Sequence, residues 1–100
     1  MGICVDITKC YETENRYVYR VQHIGVGVHE FYVALSAGEK IISFYSDLEL
    51  KNFLRALDMS NLDEQIYVPG IPTKTICCVL SKCLEAIDNN YFPENIGYYA

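Results

Sequence analysis

The chain has 100 residues, 51% of them hydrophobic and 21% charged, with a formal net charge of −5 and a sequence pI near 4.8. This length and composition predict one ordered globular domain over residues 1–100, and a net negative charge disfavours binding to nucleic-acid phosphates. The sequence contains no secretory signal and no run of about 18 apolar residues, so we expect a cytoplasmic protein without membrane association.

The first half of the chain predicts four β-strands. Alternating apolar residues in GICVDIT indicate a strand over 2–8, and the β-branched and aromatic residues of RYVYRVQHI indicate a second over 16–24. Similar patterns predict strands over 28–35 and 41–46. The connections are short, and parallel strands need long crossovers, so the four strands are expected to form an antiparallel meander.

The hydrophobic period then changes to that of a helix. The residues SDLE at 46–49 match a capping box, and Leu50, Phe53, Leu54 and Leu57 follow at helical spacing. The pattern predicts a first helix over about 47–57.

A second helix is predicted after a break at Pro69, Gly70 and Pro72, and residues 65–68 are a candidate for a short fifth strand before that break. Thr73 or Thr75 can cap the helix. Asparagine tolerates the left-handed conformation that ends a helix, which suits the two residues after Asp88. The apolar stripe of this helix contains Ile76, Leu80, Cys83, Leu84 and Ile87, and Asn89 and Asn90 are the expected stops.

These elements together predict an α+β fold, in which a four-stranded antiparallel meander is followed by two amphipathic helices packed on one face. The last ten residues, YFPENIGYYA, contain too many aromatic side chains for an unanchored tail. Two interpretations stay open for this segment. It docks on the body of the protein, or it docks on a partner.

The five cysteines are interpreted as small hydrophobic residues. An odd number cannot pair completely within one chain, and a cytoplasmic protein keeps its thiols reduced. Cys77, Cys78 and Cys83 lack the paired spacing of a zinc site and point in different directions on a helix. We therefore expect no metal or other cofactor, and we expect Cys77 and Cys83 to pack the helix onto the sheet.

The only histidines are His23 and His29. General-base catalysis needs an orienting group and a substrate proton within reach, and Glu30 beside His29 points to the opposite face of a regular strand. The chain also lacks the nucleotide-binding glycine motifs and the H-E-x-x-H metal motif. We expect that the protein is not an enzyme. A small hydrolase or ribonuclease that uses His23 or His29 is the alternative.

Charge is unevenly distributed, because residues 57–72 and 84–100 contain no lysine or arginine but six carboxylates, with several tyrosines among them. Tyrosine is enriched at interface hot spots, and an acidic surface steers encounters with basic partners. The alternative is that these carboxylates only keep the protein soluble. The candidate partner-binding residues are Asp58, Asp63, Glu64, Tyr67, Glu85, Asp88, Tyr91, Glu94, Tyr98 and Tyr99.

A compact acidic α+β chain of this size, in which a meander leads into IISFYSDLELKNFLRAL and a second amphipathic helix, resembles the small bacterial immunity proteins of contact-dependent growth inhibition and related polymorphic toxin systems. The resemblance covers size, charge and layout and includes no signature residues. It implies that the protein binds and neutralises one cognate toxin, typically a cationic nuclease domain. In that mechanism Asp58, Asp63 and Glu64 would mimic substrate phosphates.

Two other functions share parts of this pattern. A phage-type inhibitor of a host nuclease would need the same acidic surface, because its target is also basic. An oligomeric accessory subunit is the third option, and sedimentation would reveal it. The oligomeric state is not predicted by the sequence.

Overall fold

The computed structural model describes residues 4–24, 29–62 and 66–99. Within these ranges, six strands form one antiparallel sheet in the order β5-β4-β3-β2-β1-β6, and no helix is long and apolar enough to cross a membrane. The elements are β1 (Cys4–Glu12), β2 (Arg16–Ile24), β3 (His29–Ser36), β4 (Ile41–Tyr45), β5 (Phe53–Asp58), α1 (Thr73–Asp88) and β6 (Tyr98–Tyr99).

The first four strands lie where the sequence predicts them, and the second has the predicted bounds of 16–24. β1 continues to Glu12, beyond the predicted end at residue 8. A shift of register between Lys9 and Tyr11 makes Cys10 an extra residue, and the strand takes up part of the connection expected between the first two strands.

The predicted helix over 47–57 is wrong, because this segment forms a turn and strand β5. The predicted architecture is therefore wrong as well: the described residues contain a five-stranded meander, one helix and a short sixth strand. Ser46 donates its backbone N–H to the Asn52 carbonyl (2.9 Å), and the Asp47 carboxylate accepts the Asn52 side-chain N–H (2.6 Å). The polar residues that suggested a helix cap close a turn, in which Leu50 has a left-handed backbone (φ 60°).

A β-bulge explains why this strand has helical spacing. The register between β4 and β5 shifts between Phe44 and Tyr45, and Leu54 is the extra residue on β5. Residues three apart on a regular strand lie on opposite faces. The bulge lets both Leu54 and Leu57 pack against the core.

The candidate strand over 65–68 is absent from the part that the structure describes, residues 66–68. Val68 forms only an isolated bridge with Ile71, whose N–H donates to the Val68 carbonyl (3.1 Å). Gly70 between them has a φ of 81°, which suits the third position of a type II turn after Pro69. Val68 is fully buried and anchors this turn to the core.

Strand alternation gives the sheet two different faces. The core face packs against α1. No described helix or strand packs on the opposite face, here called the open face. The core face carries Val5, Ile7, Tyr19, Val21, Phe31, Val33, Leu35, Ile42, Phe44 and Leu57, and α1 adds Ile76, Val79, Leu80 and Cys83.

The helix starts and packs differently from the prediction in two respects. Pro72 occupies the N-cap position without a side-chain cap, and Thr75 is fully buried, so neither predicted threonine caps the helix. Cys83 is fully buried as expected, and burial raises the pKa of its thiol to about 12. Cys77, in contrast, is exposed, so the expectation that it packs against the sheet is wrong.

Candidate partner-binding site

Helix α1 ends in a Schellman motif. The Tyr91 N–H donates to the Ala86 carbonyl (3.0 Å), and the Asn90 N–H donates to the Ile87 carbonyl (3.1 Å). Asn90 takes the left-handed position (φ 49°), which asparagine tolerates better than most residues. The expected helix stop is confirmed, and the motif turns residues 91–97 back toward the sheet.

The segment after the helix docks on the body of the protein, which settles the alternative left open by the sequence for its described residues. The Phe92 ring stacks on Tyr17 with centroids 3.9 Å apart and planes at 6°. The Tyr19 hydroxyl donates to the Pro93 carbonyl (2.8 Å), and the Lys9 ammonium donates to the Phe92 carbonyl (2.9 Å). Three core-face side chains therefore hold this segment.

The segment then follows the edge of β1. The Lys9 N–H donates to the Glu94 carbonyl (2.7 Å), and the Ile96 N–H donates to the Ile7 carbonyl (2.9 Å). The chain continues into β6, which pairs with Cys4 and Val5. These bonds satisfy backbone groups that an edge strand would otherwise expose.

Asn95 and Gly97 fix the local path of this segment. The Asn95 amide donates to Asp6 (2.7 Å) and Thr8 (3.1 Å), and its oxygen accepts the Gly97 N–H (2.8 Å). A Cβ on Gly97 would lie 3.0 Å from that oxygen and 3.1 Å from the Val5 carbonyl. The close approach to β1 therefore favours glycine.

A groove of about 260 Å³ lies between the last turns of α1 and this segment. It is smaller than the roughly 300–1,000 Å³ pockets that enclose drug-sized ligands, so it suits a single long side chain. Its lining residues are Lys82, Glu85, Ala86, Asn89, Tyr91, Pro93, Asn95, Ile96 and Gly97.

The surroundings of the groove are mainly acidic. The Glu85 carboxylate is 63% exposed and lies 3.7 Å from the Lys82 ammonium, the cation on the same wall. Asp88 is exposed, and the Glu94 side chain is 83% exposed with its carboxylate 3.9 Å from Lys9. The last turn of α1 contains no basic residue, so the negative end of the helix dipole adds to these charges.

Two of the ten predicted binding residues line the groove, and two more follow them closely in the chain. Glu85 and Tyr91 line the groove, and Tyr91 is 67% exposed. Asp88 and Glu94 lie beside them in the chain. Of the tyrosines at 98 and 99, the structure describes the backbone, which forms β6 along β1.

Two predicted residues lie elsewhere. Asp58 ends β5 at the opposite edge of the sheet from β6, where its carboxylate accepts the Ser60 N–H (2.9 Å) and hydroxyl (2.7 Å). These bonds lower the pKa of Asp58. Tyr67 is 61% exposed and precedes the start of α1, the end opposite the groove. Asp63 and Glu64 lie outside the described residues. The predicted set therefore does not form one continuous surface.

The histidines are brought together by strand register. His23 and His29 are directly opposed where β2 and β3 pair. The Nδ1 atom of His23 lies 3.4 Å from the hydroxyl oxygen of Thr75, in the first turn of α1. Within the described ranges, no three His, Cys, Asp or Glu side chains come together as metal ligands.

The sequence prediction missed the uncharged part of the groove, namely Asn89, Pro93, Asn95, Ile96 and Gly97. Asn89 was recognised only as a helix stop. The remaining four belong to the segment PENIG, whose turn-forming composition could have indicated an ordered bend but not the surface that it contacts. The opposite wall of the groove is formed by helix residues about ten positions earlier in the chain. Only the docking of the segment on the body of the protein brings the two walls together.

No model of a known protein family matches this chain, and no curated protein or solved structure matches it either. The function must therefore be inferred from the groove and its surroundings.

Proposed function

We propose that this protein binds a basic protein partner at the groove and thereby blocks it, in the manner of an immunity protein that neutralises a toxin. The observation that carries the proposal is a cavity at the C-terminal end of α1 that is lined by Glu85 and an exposed Tyr91, with the exposed Asp88 and Glu94 three residues further along the chain from each. The partner class is a cationic enzyme, such as a nuclease that binds phosphates.

The groove suits a lysine or arginine side chain of the partner. The groove has room for one long side chain, and Glu85 on its wall supplies a carboxylate that remains largely exposed despite its contact with Lys82. Asn89 and Asn95 lie on opposite walls of the groove. A cation that enters would exchange water for a carboxylate and the negative end of a helix, and charge-assisted bonds of this kind are among the stronger ones.

The charge of the whole chain supports the same role. A net charge of −5 attracts a basic partner over distances of about one Debye length, roughly 8–10 Å at physiological salt, and raises the association rate. Tyr91 then offers a rigid aromatic side chain for close contact at the rim. A phage-type inhibitor of a host nuclease would act by the same contacts, and the identity of the target separates the two.

The decisive experiment uses the protein encoded by the neighbouring gene, expressed as its C-terminal domain. We expect that co-expression of the chain restores growth and that the purified pair binds with an affinity that falls as salt rises. Charge reversal of Glu85, Asp88 and Glu94 together should weaken binding at least 100-fold, through loss of several charge-assisted contacts.

Asp58→Lys is the matched control for a single charge reversal such as Glu85→Lys. Both substitutions change the net charge of the chain by the same amount, but Asp58 lies at the opposite edge of the sheet from β6. It should weaken binding by less than about threefold, since screening limits the effect of distant charges. Equal effects of Glu85→Lys and Asp58→Lys would mean that only net charge matters and would overturn the groove as the site.

The cross-strand pair of His23 and His29 supports a second candidate, a histidine-dependent hydrolase. The isolated protein should then cleave RNA, esters or nucleotides, with a rate lost in His23→Ala and in His29→Ala but retained in Glu85→Gln. Turnover with this pattern would favour catalysis over inhibition, and equal background rates in all three variants would reject it.

A further inference from the structure

We infer that the open face of the sheet is a self-association surface, on which a second copy of this chain packs face to face. The proposal concerns the face opposite α1 and uses none of the groove residues. It therefore stands or fails independently of the proposed function.

An aromatic ridge crosses the open face. Tyr32, Tyr45 and Phe53 occupy paired positions on β3, β4 and β5, and Arg20 continues the row on β2. The Tyr45 and Phe53 rings contact each other with centroids 5.2 Å apart, yet Phe53 is 51% exposed. Tyrosine, phenylalanine and arginine are the residue types enriched in protein interfaces.

The next row of residues across the open face consists of small side chains that are already buried. Val18 and Ala34, at paired positions of β2 and β3, are each 1% exposed although no described helix or strand packs on this face. The guanidinium of Arg16 reaches the Tyr45 hydroxyl (3.4 Å) and lies 6.0 Å from the Tyr45 ring. The Arg16 Nε atom is buried without a hydrogen-bond partner. A floor of small residues beside a ridge of rings suits contact with another corrugated sheet, as in two-sheet packing.

Charge distribution selects a second copy as the occupant. The described residues of the open face carry Arg16 and Arg20 against the carboxylates of Asp6, Glu30 and Asp58, so this face is close to neutral on a chain whose net charge is −5. Self-repulsion is therefore smallest here. A two-fold axis that passes between the exposed Arg20 and Glu30 side chains brings each arginine against the glutamate of the other copy.

The area of the face is compatible with a weak dimer. Five strands spaced about 4.8 Å apart, each with about four outward residues at about 6.8 Å intervals, cover a projected area of about 480 Å². Projecting side chains raise the accessible area of such a face toward the roughly 800 Å² per partner of a standard interface. The edge strand β5 is a poorer site for assembly, because a bulge interrupts its register and Arg55 and Asp58 lie on it.

The experiment measures self-association of the chain and uses the protein's own thiols to locate the contact surface. Sedimentation of the full chain between about 1 μM and 1 mM, the weak end of affinities for such interfaces, should show a monomer–dimer equilibrium. Cys10 is exposed at the bulge of β1 beside β2, where its thiol contacts the Val18 carbonyl (3.5 Å), whereas Cys77 is exposed on α1. Alkylation of Cys10 should slow at least fivefold as dimer forms, while alkylation of Cys77 should keep its rate.

Phe53→Lys should raise the dissociation constant of the dimer at least tenfold, because it places a charge at the ridge of each copy. Tyr67→Lys is the matched control, an exposed aromatic residue on the segment that leads into α1, and it should leave the dimer intact. A chain that stays monomeric at the highest concentration would overturn the proposal. Equal protection of both thiols would overturn it as well. So would protection of Cys10 in the monomer by a single-stranded oligonucleotide, because the open face would then bind nucleic acid and not a second copy.

Discussion

The two faces of the sheet are built from the same strands, yet they differ in what they tolerate. On the core face, residues such as Phe44 are fully buried against α1, and the buried side chains there are almost all apolar. On the open face, aromatic and charged residues share the surface. Phe53, on the strand next to that of Phe44, is half exposed. Stability is therefore expected to depend on the core face, whereas the proposed contacts with partners lie on the open face and in the groove.

The largest expected effect comes from a matched pair of phenylalanines on neighbouring strands. Phe44→Ala should reduce the free energy of unfolding by about 3–5 kcal/mol, because a large buried ring is lost and leaves a cavity. Phe53→Ala should cost less than about 1 kcal/mol, since its ring is half in water already. Urea denaturation measures both. Similar losses in the two variants would mean that the faces do not differ as described.

The next effect compares two cysteines of α1. Cys83→Ser should cost about 1–3 kcal/mol, because it buries a hydroxyl where the thiol made apolar contacts. Cys77→Ser should change stability by less than about 0.5 kcal/mol, since Cys77 is exposed. In the native protein a thiol reagent should modify Cys77 quickly and Cys83 only on unfolding. Rapid native modification of Cys83 would contradict its place in the core.

Tyr19 tests the connection between the core face and the segment that forms the groove. Tyr19→Phe removes the hydrogen bond to the Pro93 carbonyl and should cost about 0.5–1.5 kcal/mol. Tyr91→Phe is the control, because Tyr91 is exposed and its hydroxyl is in no bond that holds this segment. Thermal denaturation at neutral pH should separate the two variants.

Tyr19 also predicts a pH dependence. Burial raises the pKa of its hydroxyl above the ordinary value, with smaller contributions from neighbouring groups, Glu94 and Glu12 among them. The stability that this shift contributes is complete below the unfolded-state pKa of about 10 and is lost as the pH rises toward the native pKa. Wild type should therefore lose more stability above pH 10 than Tyr19→Phe does. Parallel pH profiles of the two proteins would contradict the buried neutral hydroxyl.

The smallest expected effect lies on the open face. Arg16→Ala should cost about 0.5–1 kcal/mol, because it removes the contacts with the Tyr45 ring and hydroxyl. Arg16→Lys keeps the charge and most of the aliphatic stem, so it should retain more than half of that energy. Chemical denaturation at several salt concentrations can measure the difference. A loss as large as that of Phe44→Ala would place Arg16 in the structural core.

The strands illustrate how far the sequence can be interpreted. Residues 16–24 and 41–45 alternate regularly, and one strongly apolar face lies against the core, so their period of two is unambiguous. Residues 53–58 carry Leu54 and Leu57 three positions apart, which is a helical period in a regular element. The bulge that reconciles this spacing with a strand depends on pairing with β4, so no local pattern could reveal it.

The binding residues show the same division. The acidic and aromatic composition around residues 85–94 is visible in the sequence, and two of the predicted residues there, Glu85 and Tyr91, line one groove. Asp58 appeared equivalent in charge and context, but the sheet order places it at the far edge, five strands from β6. Distance between residues in the chain does not report distance across a sheet.

The sequence by itself determined the strand period of β1 to β4, the amphipathic stripe of α1 and the net charge, because these depend on residue types within a few positions. Only the tertiary structure decided that residues 47–58 are a turn and a strand, that the last segment docks along β1, and that a groove forms there. Those outcomes rest on contacts between distant parts of the chain, such as Tyr19 with Pro93, whose partners are chosen by the packing of the whole core.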